Sequence, residues 1–563
     1  MTVQNPKPEW WQRGVFYQIY PRSFADSNGD GIGDLDGVTA HLDYLNSLGI
    51  DAIWLNPINP SPLDDWGYDV SDYCGIHPEL GDLAAFDRLV AQAHRRGIRV
   101  IVDLVPNHTS NQHPWFVESR SSRANPKRDW YIWIPGTPDL PPNNWQSYFG
   151  GDAWKYDPAT ASWYLHTFLE QQPDLNYRNP EAVEAIHGVI RFWLDRGADG
   201  FRIDVIQGLI KDDQLRDNPV RLQRDPDIPW YAEGTQDPLY SSDRPEVHEI
   251  IRGFRRVTDS YEDRMMVGET WPREQERLAD YLRPDELQLG FNFRFLLARY
   301  DARRFRAAIE LTERSFGPGA WPTWTLSNHD FPRHISRYSY GGDADARARV
   351  AAVMILALRG TPFIYYGEEI GMRDAEIPAD RKLDPVGRDG CRSPMQWSDA
   401  RNGGFSTSTR TWLPCGDFKA VNVTRQMNDP HSMLSLYRRL IQLRKSAPAL
   451  VEGSYRPVDS APEDCLVFHR DTPAQHIVVA LNFSAEPREI DLPAGKILLS
   501  TIAARPAGST KSPLTLAPDE AVIMETSAKG APPSGRSIAR RGSNGARSVY
   551  LARGFGERGI PFS

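Results

Sequence analysis

Short apolar runs alternate with amphipathic stretches along most of the chain. Eight runs rich in β-branched and aromatic residues predict buried strands, at 15–20, 52–55, 99–104, 200–204, 265–268, 287–290, 323–326 and 362–365. Between them, apolar residues recur at helical spacing, as at 83–96, 181–195, 245–256 and 343–358. Strands that are apolar on both faces and mostly followed by a helix are typical of a parallel sheet closed into a (β/α)8 barrel. The pattern therefore predicts an α/β fold built on a TIM barrel.

Two connections in this pattern are too long for simple loops. The stretch after strand three is rich in Trp, Pro, Asn and Gly and predicts an inserted subdomain, and 367–429 is a second irregular excursion. Beyond residue 453, short alternating runs (465–469, 476–481, 496–500 and 520–524) predict a separate antiparallel β domain. We expect four parts: a catalytic barrel at 1–108 and 177–450, an inserted subdomain at 109–176, a C-terminal β-sandwich domain at 451–526, and a flexible basic tail at 527–563.

Composition narrows the class of partner. Hydrophobic residues make up 40% and charged residues 25% of the 563, which is typical of globular proteins. The formal net charge of −9 leaves no basic face outside the tail, so we expect no nucleic acid and favour a polar small molecule. The N-terminus lacks a signal-peptide core and no apolar run reaches membrane-spanning length, so we expect a cytoplasmic protein without a membrane partner. Four scattered cysteines fit reduced thiols.

Polar clusters follow several of the predicted strands. Because catalytic groups in such barrels lie at the carboxyl ends of the strands, these clusters are expected on one rim. They contain acidic, basic and imidazole side chains, namely Asp103, Asn107 and His108 after strand three, Arg202 and Asp204 at strand four, Glu269 at strand five, and His329 and Asp330 at strand seven.

Three of these carboxylates suit the cleavage of a glycosidic bond. A retaining enzyme places two carboxyl groups roughly 5 Å apart, one attacking the sugar carbon and one moving the proton. Asp204 is the candidate nucleophile because Arg202, two residues earlier on the same strand face, favours its ionised form. Glu269 is the candidate acid/base. Asp330 would hold sugar hydroxyls, and the two histidines would donate to the same sugar.

These strings resemble the α-amylase family of glycoside hydrolases, and within it the oligo-1,6-glucosidase/α-glucosidase group. DLVPNHTS, GFRIDV, VGETW and SNHD are similar to the four strand-end signatures of that family. QPDLNY, GVFYQIYPRSF and GTPFIYYGEE resemble further signatures, and the resemblance covers about residues 10 to 525. It implies that Asp204 is the nucleophile, Glu269 the proton donor and Asp330 the transition-state stabiliser.

The resemblance also implies how the end of the substrate is bound. Asp65 and Tyr68, in DDWGYDV, resemble the residues that contact the terminal non-reducing glucose. Arg392, in GRDGCRSPMQW, resembles the arginine that pairs with Asp65 to close the pocket. Phe168 and Gln172 stand at the matching spacing before the PDLN string. A closed pocket implies that one glucose is removed at a time from a chain end.

A second candidate site lies in the loop after the first strand. Oxygen-bearing residues alternate there, with glycine at the sixth position, as in the first half of an EF-hand loop. Gly37 stands where an EF-hand requires glutamate, so an EF-hand is not expected. The resembling family holds one structural Ca²⁺ in this loop, which implies as ligands Asp26, Asn28, Asp30, the carbonyl of Ile32, and Asp34. No organic cofactor is expected.

The sequence favours an exo-acting retaining α-glucosidase and leaves alternatives open. Expected substrates are maltose, isomaltose, maltooligosaccharides and, as a further candidate, sucrose. Val205 after the nucleophile is similar to family members that act on α-1,6 bonds, whereas HDFPRH and IQGL differ from them, so the linkage stays open. Transglucosylation is the closest alternative, governed by an acceptor site expected at 205–240 and 331–340. A non-catalytic relative would lack the carboxylates and carry a membrane anchor.

Overall fold

The structure is a computed structural model and describes residues 8–222, 234–272, 274–317, 319–503, 505, 508–510 and 512–527. Apart from Ser527, the predicted basic tail lies outside the described residues.

Eight parallel strands form a nearly closed barrel, which confirms the predicted fold class. Their bounds are β1 Phe16–Ile19, β2 Ala52–Leu55, β3 Arg99–Leu104, β4 Gly200–Ile203, β5 Met265–Gly268, β6 Leu289–Gly290, β7 Thr323–Trp324 and β8 Thr361–Tyr365. The order around the barrel is β7-β8-β1-β2-β3-β4-β5-β6, so strands that follow each other in sequence are neighbours. The carboxyl ends of all eight strands therefore meet at one face, which positions the site.

Both faces of the strands are buried, as their continuous apolar sequences require. Alternate residues fill the inside of the barrel, and Phe16 of β1 stacks on Phe363 of β8 with ring centroids 4.5 Å apart. The other residues of each strand pack against the surrounding helices. These longer helices are Leu83–Arg95, Pro180–Asp195, Val247–Thr258, Ala302–Ser315, Ala344–Ala357 and Met433–Ser446.

Side-chain caps fix where most of the longer helices begin. The carboxylate of Asp82, for example, accepts the backbone N–H of Ala85, one of the donors that a helix start leaves unpaired. Shorter α-helices are Trp10–Arg13, Pro21–Phe24, Leu35–Ala40, Leu42–Leu48, Pro114–Ser121, Phe293–Leu297, His334–Arg337, Val423–Gln426 and Pro448–Glu452. Short 3₁₀ helices are Arg128–Trp130, Ile206–Gly208, Gln275–Leu282, Glu368–Ile370, Ala379–Arg381, Asp389–Arg392 and Arg401–Gly404. Among the helices of the described residues, none combines the length and apolar character needed to cross a bilayer.

The long connection after β3 forms its own small antiparallel sheet. Its strands are Trp133–Pro135, Ser162–Leu165 and Trp154–Asp157, in that spatial order. The connection returns to the barrel through an isolated bridge between His108 and Asp174. The inserted segment therefore stands at the carboxyl end of β3, above the predicted rim.

The C-terminal part is an antiparallel sheet, as predicted. Its spatial order is Ser454–Pro457, Cys465–Asp471, His476–Asn482, Ala521–Thr526, Gly495–Ser500 and Gly508–Ser509, and Arg488–Ile490 pairs with Leu514–Leu516 beside it. Buried Arg470 joins this sheet to the barrel because its guanidinium donates to the carbonyls of Ala357 and Gly453. The domain boundaries given above remain predictions.

Candidate active site

The predicted acidic residues meet at the carboxyl face of the barrel. Asp204 follows β4, Glu269 follows β5 and Asp330 lies six residues beyond β7. All three line one cavity of about 790 Å³. This volume lies in the range of small-molecule binding sites, roughly 300–1,000 Å³. The strand-end motifs therefore do lead to one shared cavity.

A buried arginine connects the first two of these carboxylates. Arg202 is 1% exposed, and its Nη1 lies 2.6 Å from Asp204 Oδ1 and 2.9 Å from Asp103 Oδ1. Its Nη2 donates to Glu269 Oε2 at 2.7 Å. Because Arg202 and Asp204 are alternate residues of one strand segment, their side chains reach the same side of the barrel. One guanidinium thus serves three carboxyl groups.

This sharing controls the protonation of Asp204. Burial raises the pKa of the Asp204 carboxyl well above its usual value, the Arg202 charge opposes this, and the neighbouring Glu269 adds to the increase. Arg202 favours the ionised form of Asp204, as the sequence predicted, but burial is the larger effect and outweighs it. Burial and the neighbouring carboxyl therefore make Asp204 harder to ionise than an exposed aspartate.

Asp330 has the opposite electrostatic surroundings. Its Oδ1 lies 3.1 Å from Arg388 Nη1 and 3.3 Å from Arg392 Nη2, and its Oδ2 lies 3.2 Å from His329 Nε2. Burial acts to raise the pKa of Asp330, but the contact with His329 and the charges of Arg388 and Arg392 hold it well below its usual range. Asp330 is therefore a fixed negative charge in the cavity.

His329 is a neutral, oriented imidazole. Burial lowers its pKa well below the usual value. The Nε2 of Gln18 donates to His329 Nδ1 at 2.8 Å, which leaves Nε2 as the protonated nitrogen facing Asp330. The ring of Tyr68 stacks on it at 5.3 Å, and the Tyr68 hydroxyl donates to Asp103 Oδ2 at 3.0 Å. Tyr68 and His329, both predicted to contact the substrate, therefore lie against each other.

The far end of the cavity contains the residues predicted to bind glucose. Asp65 is 4% exposed, and its Oδ2 accepts from Gln172 Nε2 at 2.9 Å. Gln172 Nε2 also lies 3.1 Å from His108 Nε2. The half-buried ring of Phe168 lies 5.2 Å from the ring of His108. These four side chains form one wall.

The arginine that pairs with Asp65 is Arg388, and the prediction of Arg392 for this contact is wrong. Arg388 Nη2 donates to Asp65 Oδ1 at 2.6 Å. Arg392 is fully buried, and its Nε donates to the carbonyl of His329 at 2.8 Å, while Nη2 faces Asp330. Held beneath the rim by these bonds, the Arg392 guanidinium cannot reach Asp65. Both arginines belong to the string on which the prediction rested.

Sequence reasoning missed other residues of the site. Asp384 Oδ1 accepts from Arg388 Nη2 at 2.6 Å, and Gln18 orients His329 as described above. A polar residue inside the buried run FYQI was the available signal for Gln18. For Asp384 no sequence pattern marks the contact.

Apolar side chains form the outer wall of the cavity. Trp271 stacks on Phe293 with centroids 4.1 Å apart, and Phe331 packs beside them at 6.1 Å from each ring. Residues of the two regions predicted for the acceptor site line the same cavity, namely Val205, Gln207, Lys211, Asn218, Pro219, Val220, Arg221, Leu222, Gly234, Thr235, Gln236, Asp237, Pro238 and Phe331. Residues 223–233 of the first region lie outside the described residues.

The predicted calcium loop is ordered by its own hydrogen bonds. Asp26 accepts backbone N–H groups of Gly29 and Gly31, and Asp34 accepts those of Ser27 and Gly37. Asp30 and Asn28 each accept an N–H from two residues further on and remain exposed. In the part of the chain that the structure describes, no three His, Cys, Asp or Glu side chains are grouped to hold a metal. The oxygen donors are of the type that Ca²⁺ prefers, but calcium here stays a prediction.

The barrel and its strand-end carboxylates define a glycoside hydrolase of the α-amylase type. The sequence matches the family described as "Alpha amylase, catalytic domain" over residues 18–453, and the chain belongs to this family. A probable alpha-glucosidase of Rhizobium meliloti (strain 1021) is 43% identical over 516 residues, covering 87% of this chain and 92% of that protein. An oligo-1,6-glucosidase of Parageobacillus thermoglucosidasius is 39% identical over 532 residues, covering 86% and 92%. The crystal structure of an alpha-glucosyl transfer enzyme, XgtA, superposes with a TM-score of 0.86 at 40% identity, covering 92% of this chain and 100% of that one.

Proposed function

We propose that this chain is an exo-acting, retaining α-glucosidase that removes terminal non-reducing glucose from short α-glucosides. One observation carries the proposal: Asp204 and Glu269 share the guanidinium of Arg202 in a cavity whose far end is formed by Asp65 and Arg388. The names of the similar enzymes support an α-glucoside as substrate. The three carboxylates argue against a non-catalytic role.

In the first step, the Asp204 carboxylate attacks the anomeric carbon of glucose while Glu269 gives its proton to the leaving oxygen. Double displacement requires the form in which Glu269 carries the proton and Asp204 is ionised and free to attack. Arg202 stays bonded to both groups and offsets the charge that moves between them.

In the second step, a water molecule attacks the glucosyl ester on Asp204, and Glu269 takes the water proton. Glucose leaves with the configuration at its anomeric carbon retained. Asp330, which is ionised, stabilises positive charge at the anomeric centre in both steps and accepts sugar hydroxyls.

The exo action rests on the wall opposite the catalytic pair. Asp65 is bonded to Arg388 on one side and Gln172 on the other, so this end of the cavity offers hydrogen-bonding groups to the end of a substrate chain. A terminal glucose satisfies these groups with its hydroxyls. The preference between α-1,4 and α-1,6 bonds depends on the opposite, apolar side.

Product release from maltose, isomaltose, sucrose and trehalose tests the proposal. We expect the wild type to release glucose from at least one of them, and ¹H NMR to show the α-anomer first. Asp204→Ala should abolish release, whereas Asp36→Ala, an exposed carboxylate paired with Arg88, should not change it. Turnover that survives the loss of Asp204, or β-glucose as the first product, would refute the mechanism.

Transglucosylation is the second candidate, and the apolar outer wall favours it. Trp271, Phe293 and Phe331 form a surface on which the face of an acceptor can pack while water has few polar partners. XgtA, the similar solved structure, is named for glucosyl transfer. The ratio of transferred to released glucose, measured as maltose concentration rises, separates the two functions. A ratio that stays near zero at saturating substrate would exclude transfer.

A further inference from the structure

A buried lysine lines the cavity and has no part in the double displacement. Lys211 is 5% exposed, and its Nζ lies 2.6 Å from Asp174 Oδ2 and 2.8 Å from Asn107 Oδ1. It also donates to the carbonyl of Gly208. An ammonium group has three protons and no acceptor, so these three oxygens satisfy it completely. The Asp174 carboxylate is fully buried, and the two charges compensate each other there.

This lysine decides which way the amide of Asn107 faces. Because the ammonium only donates, the amide atom that faces it must be the oxygen. The Asn107 Nδ2 then lies 3.2 Å from His108 Nδ1 and donates to it. Burial lowers the pKa of His108, so the imidazole is neutral and carries a single proton. That proton must be on Nε2, which donates to the carbonyl of Tyr68 at 3.1 Å.

The neighbouring amide places a second donor beside this imidazole. Gln172 Oε1 accepts the N–H of Leu169, so its Nε2 is the atom that faces Asp65 and His108. Gln172 Nε2 donates to Asp65, and His108 Nε2 donates to the Tyr68 carbonyl. The two nitrogens, 3.1 Å apart, therefore donate to different oxygens, and the bond from Asn107 decides the tautomer of His108.

The same ion pair holds the wall that carries Gln172. Asp174 accepts the backbone N–H of Thr167 at 2.8 Å as well as the Thr167 hydroxyl. Residues between these two positions include Phe168 and Gln172, which form the glucose end of the cavity. Lys211 thus connects the loop after β4 with the inserted segment.

We propose that Lys211 is a positioning residue of the glucose pocket: it fixes the Asn107 amide, and through it the Nε2–H tautomer of His108. The effect on glucose binding rests on the proposed function, whereas the tautomer does not. If His108 switched to the Nδ1–H form, its Nε2 would lose the bond to the Tyr68 carbonyl, which holds the ring in the glucose pocket, and would accept from Gln172 Nε2 instead.

Asn107→Asp tests this with the lysine left in place. A carboxylate at 107 still accepts from Lys211 but has no N–H for His108, so Nδ1 should take up the proton. We expect ¹⁵N-histidine NMR to show His108, assigned among the 13 histidines by comparison with His108→Gln, as the Nδ1–H form. Loss of the bond from His108 to the Tyr68 carbonyl, which holds the imidazole in the glucose pocket, should raise KM roughly tenfold while kcat changes less than about threefold.

Variants at the lysine provide the second arm. Lys211→Met leaves Asp174 buried and unpaired and is expected to destabilise the fold, so Lys211→Met/Asp174→Asn, which removes both charges, is the informative variant. It should show a mixture of His108 tautomers and the same increase in KM. Lys211→Arg should keep the Nε2–H form. Asn46→Asp, an exposed asparagine, controls for the added negative charge.

The proposal is overturned if His108 keeps the Nε2–H form in both Asn107→Asp and Lys211→Met/Asp174→Asn. It is also overturned if the tautomer changes and KM does not. A wild type that hydrolyses no glucoside would remove the proposed function, and the NMR comparison would still decide the tautomer.

Discussion

Replacing Arg388 with methionine removes a guanidinium group that three carboxylates share. Its Nη2 lies 2.6 Å from both Asp65 and Asp384, and its Nη1 lies 3.1 Å from Asp330. Arg392 remains within 3.5 Å of Asp384 and Asp330, so those two carboxylates keep a cation. Within the described parts of the chain, Asp65 keeps only the neutral amide of Gln172 as a side-chain partner. The variant therefore isolates one pair, Asp65 with Arg388.

The expected magnitude follows from burial of that pair. Asp65 and Arg388 have side chains 5% and 11% exposed, so little solvent screens them. Breaking a buried pair by removing one partner costs about 3–5 kcal/mol. If about 3 kcal/mol of this is lost from transition-state binding, kcat/KM falls roughly a hundredfold, with the larger part in KM. Arg388→Lys keeps a point charge without the planar fork and should recover part of the activity.

The assay is kcat/KM for the preferred disaccharide, with thermal unfolding measured on the same preparations. Arg373→Met is the matched control, since Arg373 pairs with Asp345 at 3.2 Å and both side chains are about half exposed. We expect the control to match the wild type. An Arg388→Met enzyme within about threefold of wild type at equal stability would show that this pair does not hold the glucose end.

Three further predictions test other parts of the molecule. Burial raises the pKa of Glu368 from 4.5 to about 7, so the native state keeps a proton that the unfolded state releases. The free energy of unfolding, measured by urea denaturation, should therefore fall as pH rises from 4.5 to about 7. In Glu368→Gln it should depend less on pH over this range. An unchanged pH dependence would contradict the raised pKa of Glu368. Gly200 has φ +155°, and a Cβ at this position would lie 2.0 Å from the Met265 carbonyl oxygen. Gly200→Ala should therefore yield little folded protein. A melting temperature equal to that of the wild type would refute this. Metal analysis should find one Ca²⁺ per chain, and a chelator should lower the melting temperature. Asp30→Ala should lose both the bound Ca²⁺ and the response to the chelator. A wild type without bound metal would refute the calcium site.

The barrel was predictable because its strands are buried on both faces. Such strands read as unbroken apolar runs, and the predicted bounds of 52–55, 99–104 and 265–268 agree with β2, β3 and β5. The errors lie at β6 and β7, which are two residues long. There the apolar run continues into irregular buried chain, which hydrophobicity alone does not distinguish from a strand.

Site residues at the ends of barrel strands could be predicted from the sequence, whereas contacts made by residues in long loops could not. Asp204, Glu269 and Asp330 follow strands whose parallel order fixes where they point. Arg388 meets Asp65 across 323 residues of sequence, through a loop without periodicity. Arg388 and Arg392 stand four residues apart in one string, and only the fold decides which of them reaches the pocket.

The distribution of arginines explains why similar carboxyl groups in one cavity behave in opposite ways. Among the residues that the structure describes, Arg202 is the one cation paired with Asp204, Glu269 and Asp103, so that cluster has one cation for three acids. There burial outweighs the positive charge, and the pKa of Asp204 is raised. Asp330 has two arginines and a histidine as neighbours, and its pKa is lowered. Too little positive charge near Asp204 raises its pKa and keeps a proton available where the proposed chemistry transfers a proton. More positive charge near Asp330 keeps that carboxyl ionised. The division of roles among these acids is therefore set by where the arginines lie and not by the acids themselves.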